Sequence, residues 1–380
     1  MKFIADKHIN RGSGMCNSVA PTKFEGKLID LSIGDIDCHT DEVVIKDAFQ
    51  DALEGHTHYT NSLGYLELRE NIAQYHKENF ENYNVDAENI FVVSGGCHGM
   101  YLILQSILNT DDEVIIFSPY FPVYKEQIKL ASGVPVVVEL LEEDGFQIAK
   151  ASLEEKITKK TKAIIINTPS NPTGACYTMD SLNIIKEISE KYDLLVIADD
   201  IYDYYSFDTP FIPIYTLPDM DKRTMVVCSF SKNFAMTGWR VAYILGLKEI
   251  IDCANNINES IIYSTCSVAQ RAAISALKNH KRIKSELPKV FKERIDYACE
   301  RINNIDFLSI VKPSGGIYLF VNIEKSNLTS AEFSRLLYAE KGIKVLQGTY
   351  FGSDKHIRMS LIVDLDGLKE VFDRIESLNF

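Results

Sequence analysis

Residues 163–200 read AIIINTPSNPTGACYTMDSLNIIKEISEKYDLLVIADD. Two short apolar runs, AIIIN (163–167) and LLVIAD (194–199), enclose a Pro/Gly loop and a stretch with helical spacing, SLNIIKEISEKY. Apolar residues on consecutive positions mark strands covered on both faces, because a strand with one wet face alternates instead. Strand, helix and strand in that order imply a mostly parallel sheet with helices on both sides.

The same alternation extends outward from about residue 90 to 246, through IFVVS (90–94), EVIIFS (113–118), VPVVVEL (134–140), MVVCSF (225–230) and VAYILG (241–246). Helix-like segments such as GMYLILQSILN and the stretch around 120–131 lie between them. The fold class is therefore α/β, a large domain with a mostly parallel seven-stranded sheet flanked by helices. Helical pattern then runs from about 248 to 305, followed by IYLFVNI (317–323), a helix, IKVLQG, HIRMSLIV and a last helix. This tail predicts a small α+β domain, joined in space by the first ~40 residues. The boundaries expected are 45–285 for the large domain, with 1–44 and 286–380 forming the small one.

The chain has 380 residues, 46% hydrophobic and 24% charged, enough for two or three packed units with a sizeable core. A net charge of −13 without any basic block speaks against nucleic acid or an anionic membrane as partner. Eight cysteines are scattered with no CxxC pair, which reads as reduced thiols and not as a disulfide framework or a metal site. The first residues lack the apolar core of a signal peptide, and no run approaches the ~18 apolar residues of a membrane span. A soluble cytoplasmic protein is expected.

Ligands of such sheets bind beyond the carboxyl ends of the strands, so the residues just after each run carry the chemistry. After IFVVS comes GGCHGM, where Gly95, Gly96 and Cys97 lead into a helix whose first amides suit a phosphate; alone it is also an ordinary tight turn. After EVIIFS comes PYFPVY, which offers Phe121 as a stacking face. TPSNPTG contains Asn171, which presents both a donor and an acceptor, or an Asx-turn. LLVIAD ends in Asp199, followed closely by Tyr202; an acid leaving a buried strand needs a partner, either a protein cation or a protonated heteroaromatic nitrogen. CSFSKNFAMTGWR (228–240) supplies Ser229, Ser231, Lys232 and Arg240. Arginine binds phosphate bidentately, and a lysine near other cations becomes a better nucleophile toward carbonyls. Taken together these are the complements of pyridoxal 5′-phosphate: its phosphate, ring face, phenolic oxygen, pyridine nitrogen and aldehyde.

The ordered set YTNSLGYLELR (59–69), SGG, PYF, NPTG, DDIY, SFSK…GWR, PSGGIY and HIRMSLIV resembles the fold-type I pyridoxal-phosphate-dependent aminotransferases of class I/II, the aspartate aminotransferase superfamily, over nearly the whole chain. The resemblance implies that Lys232 forms the aldimine with the cofactor and later shuttles the substrate's α-proton, and that Asp199 pairs with the pyridine nitrogen. It assigns Asn171 and Tyr202 to the phenolic oxygen and Phe121 to the ring. Gly95, Gly96, Cys97, Ser229, Ser231 and Arg240 would hold the phosphate. Arg358 would clamp the substrate's α-carboxylate, helped by Asn171 and the backbone at Gly34. Tyr59 would reach the phosphate of a second copy, which implies a homodimer with shared active sites. The implied reaction is ping-pong transfer of an amino group from an L-amino acid to a 2-oxo acid.

One departure bears on substrate choice. Cys97 stands where a prokaryotic subgroup of the family has a lysine that reads the substrate's side-chain carboxylate; Arg11 and His98 are the basic residues nearest to a replacement, while His56 and His58 suit aromatic or polar neutral substrates. A carbon–sulfur β-lyase shares the same lysine and arginine positions and is the alternative reading. A cofactor-sensing regulator on this fold is a third, and a nicotinamide dehydrogenase lacks its glycine fingerprint.

Overall fold

A computed structural model describes residue 3 and residues 24–378. The first strand, β1 (Ile29–Asp30), pairs far along the chain. The next seven are β2 (Ile90–Val93), β3 (Glu113–Ser118), β4 (Val134–Glu139), β5 (Thr161–Asn167), β6 (Leu195–Asp199), β7 (Thr224–Ser229) and β8 (Ala242–Leu245). They form one sheet in the order β2-β8-β7-β6-β5-β3-β4. All seven apolar runs of the sequence became its strands. β8 alone runs antiparallel to its neighbours β2 and β7.

Successive residues of a strand point to opposite faces, and each face here has its own core. Val114, Ile116, Ile165, Ile197 and Val227 pack on one side. Ile115, Ile164, Ile166, Val196 and Val226 pack on the other. That double burial is why the runs are continuously apolar. The crossover helix Met179–Lys191 starts at Thr178, whose hydroxyl accepts from the Ser181 amide.

The helical pattern of 248–305 divides into three helices, Lys248–Glu259, Ser267–Lys278 and His280–Asn303. The first break follows Asn258, whose Nδ2 donates to the Tyr263 carbonyl at 2.8 Å while Tyr263 adopts φ 64°. A side chain that captures the backbone in this way competes with helical bonding, and apolar spacing does not register it.

The tail contributes β9 (Tyr318–Asn322), β10 (Ile343–Lys344), β11 (Leu346–Gln347) and β12 (His356–Ser360). β11-β12-β9 is an antiparallel sheet, and β1 lies parallel to β10 with Asp30 opposite Lys344. This pairing attaches the segment around residue 30 to the C-terminal elements. Among the described residues, no helix is long and apolar enough to cross a membrane.

Candidate active site

The C-terminal ends of β5, β6 and β7 converge on a cavity of about 190 Å³. Asn167 and Asp199 are register partners at the ends of β5 and β6. Asn167 Nδ2 donates to the Asp199 carbonyl at 2.9 Å, and its Oδ1 accepts from the Asn171 amide at 2.8 Å. One side chain thus fastens the NPTG loop to the sheet edge. Phe121 and Asn171 form part of the cavity wall, with Tyr202 beside them.

Asp199 is buried, and its Oδ2 accepts from the Tyr124 hydroxyl at 2.5 Å. Burial pushes its carboxyl up to about 6, although the Tyr124 bond pulls the other way. The second oxygen has only a long contact, 3.4 Å from the Ile201 amide. Asp199 therefore retains acceptor capacity on a cavity wall, as the partner of a cationic N–H requires.

The opposite end of the cavity is built for an anion. Gly95 has φ 93° and caps the helix Gly96–Ile107. A Cβ at Gly95 would collide with Arg240 Nη2, so only glycine lets the guanidinium lie across that helix N-terminus. Arg240 itself sits at φ 53°, and its Nη1 donates to the Thr237 carbonyl at 2.8 Å. Ser229 caps the short helix Phe230–Asn233, its Oγ accepting from the Ser231 amide at 3.1 Å. Both hydroxyls line the cavity with Gly96 and Cys97.

Lys232 projects from that short helix. Its carbonyl accepts from Tyr205 Oη at 2.7 Å, and the next residue, Asn233, donates to Asp203. Lys232 Nζ donates to the Gly34 carbonyl. It lines both the first cavity and a second of about 520 Å³ that opens beside it. Arg358 is buried at the far wall of the second cavity, with Nη2 on the Ser32 carbonyl at 2.6 Å and Nη1 on Asn171 Oδ1 at 3.2 Å. Its Nε is buried without a hydrogen-bond partner among the described residues.

Of the residues assigned to cofactor or α-carboxylate, all but Tyr59 gather at or beside these two cavities. Tyr59 is 87% exposed, packs edge-on against Tyr263, and lines neither cavity. His98 also lines neither; its Nδ1 accepts from the Ser94 amide at 3.1 Å. His56 and His58 are likewise absent from both walls, and Arg11 lies outside the described residues. Sequence reading missed Tyr124 as the partner of Asp199, although PYFPVY contains it. It also missed Tyr318, Thr237 and Lys344 in the second cavity.

Comparison with known proteins gives the same picture. The model of the family described as aminotransferase class I and II matches residues 26–375. The aspartate aminotransferase of Bacillus subtilis (strain 168) is 36% identical over 92% of this chain and 90% of its own length. Aromatic-amino-acid aminotransferase 2 of Thermococcus litoralis is 34% identical, covering 92% and 91%. The solved aromatic aminotransferase of Pyrococcus horikoshii OT3 superposes with a TM-score of 0.89 at 34% identity, covering 92% of this chain and 95% of its own. With this site on this sheet and a match over most of its length, the chain belongs to the aminotransferase class I and II family.

Proposed function

We propose that the protein transfers the amino group of an L-amino acid to a 2-oxo acid, with pyridoxal 5′-phosphate held at the smaller cavity. The observation that carries this reading is the placement of Lys232 between an anion cradle with a buried acid on one side and a buried arginine on the other. The residues fit the cofactor. Arg240, Ser229, Ser231 and the Gly95–Cys97 turn suit the phosphate, Asp199 the pyridine nitrogen, Asn171 and Tyr202 the phenolic oxygen, and Phe121 a ring face. When bound, the cofactor supplies an electron sink for charge developing at the substrate's α-carbon.

The protein's own groups do the rest. Arg358 and Asn171 orient the α-carboxylate, helped by the backbone at Gly34, which lines the same cavity. Lys232 Nζ takes the α-proton and returns it on the cofactor side of the same site, as a positioned general base and acid. Asp199, to which Tyr124 donates, would face the pyridine nitrogen and favour its protonated form. Walls of Phe121, Phe351 and Leu346 restrict water.

The finer assignments belong to the same proposal. Residues 45–285 form the cofactor-binding domain, and 1–44 with 286–380 the small one. The working unit is a homodimer in the cytoplasm, with Tyr59 completing the phosphate site of a second copy. Neither nucleic acid nor membrane is a partner.

Lys232→Ala tests the reading. The wild-type protein reconstituted with pyridoxal phosphate is expected to absorb at about 360–430 nm and to lose that band when an amino donor is added. The variant should lose the lysine-bonded band and about 10³-fold or more in turnover. Retained turnover would sink the assignment. Pyruvate and thiol released from cystathionine without an oxo acid would favour the β-lyase instead, although the relatives named above are aminotransferases.

A further inference from the structure

Tyr318, on β9 of the small sheet, is used by none of the roles above, yet it touches three of their carriers. Its hydroxyl lies 2.8 Å from the hydroxyl of Tyr202. Its ring lies beneath Arg358, whose guanidinium carbon is 4.4 Å from the ring centroid. A Cβ at Gly34 would collide with its hydroxyl, so Gly34, whose carbonyl receives Lys232, also makes room for Tyr318. Both tyrosines are buried.

Each phenol has a single proton to donate. If Tyr202 gives its proton to a ligand oxygen, the 2.8 Å contact is made only by Tyr318 donating to Tyr202. A phenol that receives a hydrogen bond is polarised and donates more strongly in turn. The cation above the Tyr318 ring adds to this, since positive charge over a π face strengthens the hydroxyl as a donor. A carboxylate arriving at Arg358 neutralises that charge and weakens the donation.

We propose that Tyr318 is a positioning residue that couples the carboxylate anchor Arg358 to the Tyr202 hydroxyl, so that occupancy of one is felt by the other. The proposal rests on the aminotransferase reading, in which Tyr202 meets the cofactor's phenolic oxygen. Stronger donation to that oxygen stabilises its negative charge and lowers the proton affinity of the lysine-derived nitrogen that shares it. Removing the Tyr318 hydroxyl should therefore raise the pH midpoint of the visible band.

The test compares reconstituted wild type, Tyr318→Phe, Tyr318→Leu and Tyr202→Phe by absorbance titration, with and without saturating propionate, a carboxylate that cannot transaminate. Tyr318→Phe is expected to move the midpoint upward by roughly half a pH unit to one unit, the worth of one neutral hydrogen bond. The propionate-induced movement should shrink by about half. Because the ring is kept beneath Arg358, KM for the amino donor should stay within about twofold while kcat changes its pH profile. Tyr318→Leu should raise KM as well. A Tyr318→Phe midpoint and propionate response equal to wild type, with Tyr202→Phe displaced, would reduce Tyr318 to packing and overturn the coupling. A wild type that forms no band at all would instead remove the aminotransferase reading beneath it. Thermal midpoints of the cofactor-free proteins, expected to match between wild type and Tyr318→Phe, separate either outcome from misfolding.

Discussion

The Tyr124 hydroxyl stands 2.5 Å from Asp199 Oδ2, joining the helix Val123–Leu130 to the end of β6. Tyr124 is itself fully buried, and burial beside the acid drives its phenol well above its ordinary range. It remains protonated and acts as a fixed donor. The acid it serves is held up to about 6 by burial, and this bond opposes that rise by favouring the ionised form.

Tyr124→Phe should raise the carboxyl further, because a donor to the charged form is lost and desolvation stays. The sign follows directly. Cofactor binding needs Asp199 ionised, so in wild type the affinity weakens as pH falls through about 6. In the variant the weakening begins at higher pH, by about one unit, so the dissociation constant rises about twofold at pH 7 and approaches a tenfold rise toward pH 5. Equilibrium titration of the cofactor-free protein with pyridoxal phosphate from pH 5 to 8 reads both. Coincident curves would show that Tyr124 contributes only packing.

Arg358→Lys should separate anchoring from chemistry. Lysine keeps the charge but cannot make the paired, planar contact, and it would leave Ser32 O or Asn171 Oδ1 without its donor. KM for both the amino acid and the oxo acid is expected to rise about 100-fold, with kcat changing much less. Single-turnover reaction with a simple amine, which has no carboxylate, should proceed at the wild-type rate. An equal loss with the amine would place Arg358 in the chemical step.

Much of this site was legible because its chemistry sits next to strand ends, and strand ends show in the apolar runs. Lys232, Asp199 and Asn171 each follow such a run by no more than a few residues. Partners brought in from elsewhere were not legible. Tyr124 reaches Asp199 across 75 positions of sequence, and Tyr318 reaches Tyr202 across 116. A buried tyrosine reads as packing until its neighbour is known. The direction of β8 was equally hidden, since burial on both faces produces the same apolar run whichever way a strand points. The break at 260–266 depended on Asn258 capturing a carbonyl, an event to which hydrophobic spacing is blind.

His76 gives a stability prediction independent of catalysis. It is buried, stacks on Tyr83 with centroids 4.3 Å apart, and its Nε2 meets Tyr243 Oη at 2.9 Å. Burial lowers its pKa to about 3. The unfolded chain takes up this proton near its ordinary value of 6.5 and the folded one does not, so stability is full above 6.5 and declines as pH falls toward 3. His76→Gln removes the titration. On going from pH 7 to 4 the wild type should lose about 3 kcal/mol more than the variant in denaturant unfolding of the cofactor-free protein. Parallel losses would mean that the ring is protonated in the fold.

The proposed homodimer can be tested at its surface. Leu53 is 84% exposed and Tyr59 87%, and Phe49, Leu66, Ile261 and Tyr263 also present apolar area to solvent. Large exposed apolar side chains concentrated on the helix Glu42–Leu53 and the loops near Tyr59 and Tyr263 are what a covered interface needs. A charge placed there would be desolvated on association and left unpaired. Leu53→Asp and Ile261→Asp should each raise the concentration of half-dissociation at least about tenfold in sedimentation velocity, and activity should fall with the dimer fraction. Tyr59→Phe should behave differently. It removes one hydroxyl from a proposed phosphate contact, so the dimer should persist while cofactor affinity falls about three- to tenfold. Full activity in a monomeric Leu53→Asp protein would show that each chain completes its own site, and Tyr59 would then have no catalytic consequence.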